Sequence, residues 1–186
     1  SAVIAFLLTR RKTGITAQSL RAISRRVYRY LYDAPSEESS MQIKKSLELL
    51  SSSETLSVKD GRLWPPKRKN PGYSELKILS RLVEPILEEL FVILSLASTR
   101  RFNELNLRDK TESILSYLGE LRKTSKVTNL TQGLAEEFID KAISSSLIRV
   151  TDDRSVHAGK VAELALALFE PLMNEDVIEI LSKQAT

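Results

Sequence analysis

The chain has 186 residues, 42% of them apolar and 28% charged, with a mean hydropathy of −0.16 and a formal net charge of +4. That balance belongs to a globular protein rather than a disordered tail, and the length allows one good core or two small ones. There is no cysteine and a single histidine, His157. This excludes disulfides, thiolate nucleophiles and cysteine-ligated metal, and leaves a histidine triad or histidine-rich metal centre one participant only.

Charge is unevenly spread: residues 1–69 carry 14 Lys and Arg against 6 Asp and Glu, and residues 70–186 carry 14 against 18. The change falls at Trp64-Pro65-Pro66-Lys67-Arg68-Lys69-Asn70-Pro71-Gly72, where prolines and a glycine interrupt periodicity. The expected organisation is a winged-helix-like helical subdomain over residues 1–66, a linker over 67–73 and a helical-bundle subdomain over 74–186. The fold class is mainly α, with one or two short β-hairpins.

In chain order, the apolar run at residues 3–8 is followed by Arg10-Arg11-Lys12, the reverse of a secretory signal, and reads as a buried helix. Thr16 is a candidate N-cap for a helix over 17–32, in which Leu20, Ile23, Val27, Tyr30 and Leu31 recur at helical spacing. Ser36 caps a second helix after Pro35, with Ile43, Leu47 and Leu50 on one face. Residues 56–59 then alternate, Asp60-Gly61 is a strong two-residue hairpin signal, and Arg62-Leu63-Trp64 returns.

The second half opens with a long apolar helix over 74–97, containing Pro85 and expected to kink near Arg81. Further helices are expected over 107–122, 131–145 and 158–173, with a short one over 176–183. Residues 147–150 are the only strand candidate there, turned by Thr151-Asp152-Asp153. Helix, helix, strand and turn thus recur in both halves, without any repeat at the level of residues. No stretch approaches the roughly 20 apolar residues that span a bilayer.

Chemistry-bearing patterns are sparse. The six glycines match neither a phosphate loop nor a dinucleotide fingerprint. The pairs Glu88-Glu89, Glu136-Glu137 and Asp152-Asp153 sit at adjacent positions, which on a helix diverge by about 100°, so they are expected as solvated faces or helix-end charges. Glu84 and Glu88 share a face, and Arg81 offers Glu84 an ion pair. His157 reads as a polar residue opening the helix that follows. No catalytic residue, metal ligand or cofactor is assigned.

The most pointed surface feature is the row Arg21, Arg25 and Arg29, spaced by four so that all three share one helical face, with Arg26 beside them. Such a row suits phosphates of lipid or nucleic acid, an acidic partner surface, or plain solvation. The interleaved Tyr28, Tyr30 and Tyr32 read as packing residues more than as a stacking platform, and Lys67-Arg68-Lys69 as a solvated linker.

One stretch, Glu137-Phe138-Ile139-Asp140-Lys141-Ala142-Ile143-Ser144-Ser145-Ser146-Leu147, resembles the Glu-Phe-x-Asp-Lys-Ala-x-x-Ser-Ser-Leu segment near the C-terminus of the bacterial membrane-associated glycerol-3-phosphate acyltransferases. Lys160-Val161-Ala162-Glu163-Leu164-Ala165 is similar to the start of that family's last long helix. Leu82-Val83-Glu84-Pro85-Ile86-Leu87-Glu88 is similar to the opening of its C-terminal helical region, with a comparable stretch in dihydroxyacetone-phosphate acyltransferases. Residues 5–8, Thr13-Gly14-Ile15 and Asp60-Gly61-Arg62-Leu63 fit more loosely.

The family's catalytic motif is His-x-x-x-x-Asp, whose histidine deprotonates the glycerol-phosphate hydroxyl for attack on an acyl thioester. Here Ala162 stands five positions after His157, where the motif requires aspartate. The resemblance therefore implies an accessory C-terminal region of a phospholipid-biosynthesis enzyme, inactive alone. Its expected partner is a catalytic acyltransferase domain of the same polypeptide, lying before Ser1, and its expected place is peripheral to the cytoplasmic side of a membrane, against an anionic surface. The alternative reading is a tandem winged-helix module that binds nucleic acid or assembles a protein complex.

Overall fold

The computed structural model describes residues 2–11, 13–32, 36–53, 55–122 and 134–184. It is mainly helical, with two small antiparallel sheets, and divides into two compact units, Ser1–Pro85 and Ile86–Thr186. The division falls inside the long helix α4 (Pro71–Ser98), which runs through Pro85; residues 71–73 of the expected linker are already its first turn.

The first unit follows the order α1 (Ala2–Arg10), β1 (Ile15–Thr16), α2 (Ala17–Tyr32), α3 (Ser36–Ser52), β2 (Ser57–Lys59), β3 (Arg62–Trp64). Its three-stranded antiparallel sheet has the order β1-β3-β2, with Ile15 opposite Leu63 and Val58 opposite Leu63 on the other side. That is the topology of a small winged helix. Helix α1 is buried from Val3 to Leu8, as its unbroken apolar sequence demands, and packs on α2 and α3.

Local signals account for the boundaries. The Thr16 hydroxyl accepts from the Ser19 amide at 3.1 Å, the N-cap bond expected for α2. Asp60 and Gly61 adopt φ of 52° and 68°, the left-handed pair that joins β2 to β3 in a two-residue turn. Gly14 is fixed by packing instead: a Cβ there would lie 2.3 Å from the Trp64 ring, so only glycine lets that ring close over the chain before β1. The side chains of Leu31, Tyr32 and Ser36, and with them the expected Ser36 cap, lie outside the described residues, as does Pro35.

The second unit repeats the element order in reduced form. After the last turns of α4 come an isolated antiparallel bridge from Asn103 to Ser155, α5 (Glu104–Leu121), α6 (Leu134–Ser144), β4 (Ile148–Val150) and β5 (Val156–Ala158). Then follow α7 (Lys160–Phe169), a 3-10 turn at Glu170–Leu172 and α8 (Glu175–Gln184). The Asn103 side chain caps α5 by accepting from the Asn106 amide at 2.8 Å, so the helix begins three residues before the expected 107. Residues 131–133 of the expected 131–145 helix lie outside the described ones.

Two expectations are corrected here. Residues 147–150 have a strand partner in β5, with Arg149 opposite His157, so His157 belongs to a strand and not to a helix start. The expected helix over 158–173 correspondingly starts at Lys160, capped by Gly159, and yields to the 3-10 turn after Phe169, next to Pro171. A proline lacks the amide donor that an α-helix needs there.

Candidate functional site

Helix α2 buries Leu20, Ser24 and Val27 and turns Arg21, Arg25, Arg26 and Arg29 to solvent. The predicted row is thus brought together on one exposed face. The helix holds no carboxylate, and none of the four arginines has an ion pair among the described residues. Four cations so close repel one another, and an anionic surface laid against them would relieve that repulsion. Tyr28 and Tyr30 are half-buried and engaged with neighbours, so neither stands out as a stacking surface. The Tyr32 side chain lies outside the described residues.

The helices immediately preceding the two hairpins are not basic: the first is nearly neutral and the second net negative. Helix α3 carries Glu37, Glu38 and Glu48 against Lys44 and Lys45, and α6 carries Glu136, Glu137 and Asp140 against Lys141. In a nucleic-acid-binding winged helix this is the position that enters the groove, where net negative charge is repelled by phosphate.

The carboxylate pairs separate into different roles. Glu136 and Glu137 are exposed, with Glu136 2.9 Å from Arg108. Asp152 and Asp153 lie in the β4–β5 turn; hydrogen bonds from Thr151 and Ser155 hold Asp153 down at about 2. Glu88 and Glu89, expected on a solvated face, are buried, because this part of α4 is enclosed around its whole circumference.

Glu88 accepts two bonds from the Arg122 guanidinium, at 2.7 and 3.2 Å, and one from the Asn174 amide at 2.8 Å. Arg122 also reaches both oxygens of Asp176, at 2.7 and 2.8 Å, which lowers the Asp176 pKa. This one guanidinium therefore ties α4, the end of α5 and α8 together. Glu89 has no such help: it is fully buried, both its oxygens are without hydrogen-bond partners among the described residues, and burial, with a smaller push from Glu112, raises it to about 7.

Glu84 pairs with Arg10 of α1, whereas the sequence pointed to Arg81 as its partner. His157 sits in β5, half-buried, with its Nε2 3.0 Å from the Ser155 hydroxyl. Lys67, Arg68 and Lys69 are exposed in the turn before α4. Sequence reasoning missed the Arg122 network because its partners lie 34 and 54 positions away, beyond any helical spacing. No described helix is long and apolar enough to cross a membrane. Compared with protein-family models, with curated proteins and with solved structures, the chain has no match in any of the three.

Proposed function

We propose that the chain is an accessory, non-catalytic region of a glycerol-3-phosphate 1-O-acyltransferase, a pair of small helical units that support a catalytic domain carried elsewhere in the same polypeptide. The observation that carries this reading is the position of the acyltransferase-like stretch. Residues 137–147 make most of α6 and the turn into β4, with Ile139, Ala142 and Leu147 buried in the second unit and Ser146 in the left-handed region at φ 59°. Of the residues that carry the resemblance, Ala142 and Leu147 pack in the core and Ser146 ends the helix, while Glu137, Asp140 and Ser145 are exposed. They contribute architecture, where a transfer centre needs a general base aligned with an acceptor hydroxyl.

In this reading the Arg21, Arg25 and Arg29 face is a docking surface for the catalytic domain or for the anionic membrane on which such an enzyme works. The second reading, a tandem winged-helix module on nucleic acid, is favoured by the β1-β3-β2 topology and the repeated element order. The nearly neutral α3 and the net-negative α6 weigh against it.

Two assays separate them. The isolated chain should transfer no acyl group from acyl-CoA or acyl carrier protein to glycerol 3-phosphate; turnover that is abolished by mutating this chain would overturn the accessory role. Titrated with duplex DNA, it should bind no tighter than the non-specific range, about 10⁻⁴ to 10⁻⁶ M at physiological salt. A sequence-selective nanomolar complex would promote the winged-helix reading in its place.

A further inference from the structure

A polar cleft of about 310 Å³ lies within the first unit, lined by Thr9 and Arg10 from α1 and by Tyr73, Lys77, Ser80, Arg81 and Glu84 from α4. Tyr73, Lys77 and Arg81 stand at i, i+4 and i+8, so they form one row along the helix and face the same side of it. The wall opposite this row is the end of α1.

The charges do not cancel. Arg10 is held by Glu84 and lies over the Phe6 ring, 5.5 Å from its centroid, so that cation and the one carboxylate among the described lining residues balance each other. Lys77 and Arg81 remain, with no ion pair among the described residues. The hydroxyls of Thr9 and Ser80 already donate to backbone carbonyls, of Ala5 and Lys77, at 2.9 and 3.0 Å. Their protons are thus spent within their own helices, while the Tyr73 phenol is a donor with no bond among the described residues. The unspent capacity is therefore two positive charges and one neutral donor on a single row.

We propose that this cleft binds a phosphate monoester dianion. Two net positive charges match the two negative charges such a group carries above its second pKa of about 6. The Arg81 guanidinium supplies a planar fork for two phosphate oxygens, Lys77 a mobile point charge and Tyr73 a third donor. Among the described residues no aliphatic side chain lines the cleft, so they offer little to an acyl tail or other apolar appendage and select for the charged group itself. The phosphate could come from a small soluble ester or from a lipid headgroup with a terminal monoester. The proposal concerns residues of the first unit alone and does not depend on the acyltransferase reading.

The test is a titration of the full chain with inorganic phosphate at constant ionic strength, followed by amide chemical shifts. Saturable shifts at residues 73–84 with a dissociation constant on the order of 1 mM, weakened at least about tenfold in Lys77→Gln/Arg81→Gln, are the expected result. Both side chains are exposed and have no ion pair among the described residues, so the double variant should fold as the parent does. Lys44→Gln/Lys45→Gln on α3 removes the same charge elsewhere in the unit and should leave the affinity within about twofold. Binding should also strengthen as pH rises through about 6, as the dianion forms.

Sedimentation with phosphatidic acid vesicles, against phosphatidylcholine vesicles, then distinguishes the source. Recruitment lost in the Lys77→Gln/Arg81→Gln variant identifies a lipid headgroup, and binding of free phosphate alone identifies a soluble ester. No saturable phosphate binding, or equal weakening by the α3 and cleft variants, would overturn the proposal.

Discussion

Replacing Glu89 with methionine should stabilise the chain by about 3 kcal/mol above pH 8, an effect that fades toward about pH 5. The carboxyl is fully buried with neither oxygen bonded among the described residues, and its pKa rises from 4.5 to about 7. A folded-state pKa above the unfolded one means that the native protein holds the proton more tightly. The native state is therefore favoured below about 4.5, and that advantage is lost as pH rises toward 7; above it, folding must bury a charge. Methionine keeps the volume and removes the ionisation, so thermal midpoints of parent and variant should diverge by several degrees across that window. A gap that does not change with pH would show that Glu89 is solvated or paired in the native protein.

Arg122→Ala should destabilise the second unit by about 3 kcal/mol, since it leaves the buried Glu88 carboxylate without its charged partner and frees Asp176 as well. Arg122→Lys should recover only part of this, because an ammonium cannot serve two carboxylates at once through paired bonds. The pH dependence has the opposite sign to that of Glu89. Asp176 is held below its ordinary value of 3.8 by Arg122, so its contribution is present at neutral pH and lost as pH falls through its folded-state pKa. Chemical denaturation of the variants at neutral and acid pH measures both effects. An Arg122→Ala variant as stable as the parent would contradict the bridging role.

What could be read from the sequence was what is decided within a few residues. Thr16 and Asp60-Gly61 are such cases, because a cap and a two-residue turn depend on the chemistry of those residues and on their immediate neighbours. The arginine row was legible for the same reason, as i, i+4 spacing fixes a helical face without tertiary information. β5 was not legible: Val156-His157-Ala158 is three residues long and is a strand only because β4 and the Phe102-Asn103 backbone pair with it. Glu88 and Glu89 misled because adjacent charges on a helix normally face water, and only the enclosure of α4 buries both. The cleft joins Arg10 to residues more than 60 positions later, a meeting that α1 and α4 make and no local pattern announces.

The central claim, that this chain is the accessory scaffold of a glycerol-3-phosphate acyltransferase, is tested most directly by determining the residues encoded upstream of Ser1. The account predicts an acyltransferase domain there, with a His-x-x-x-x-Asp motif and separate basic residues for the substrate phosphate. An upstream region without that motif, or one that encodes a nucleic-acid-processing domain, would contradict it.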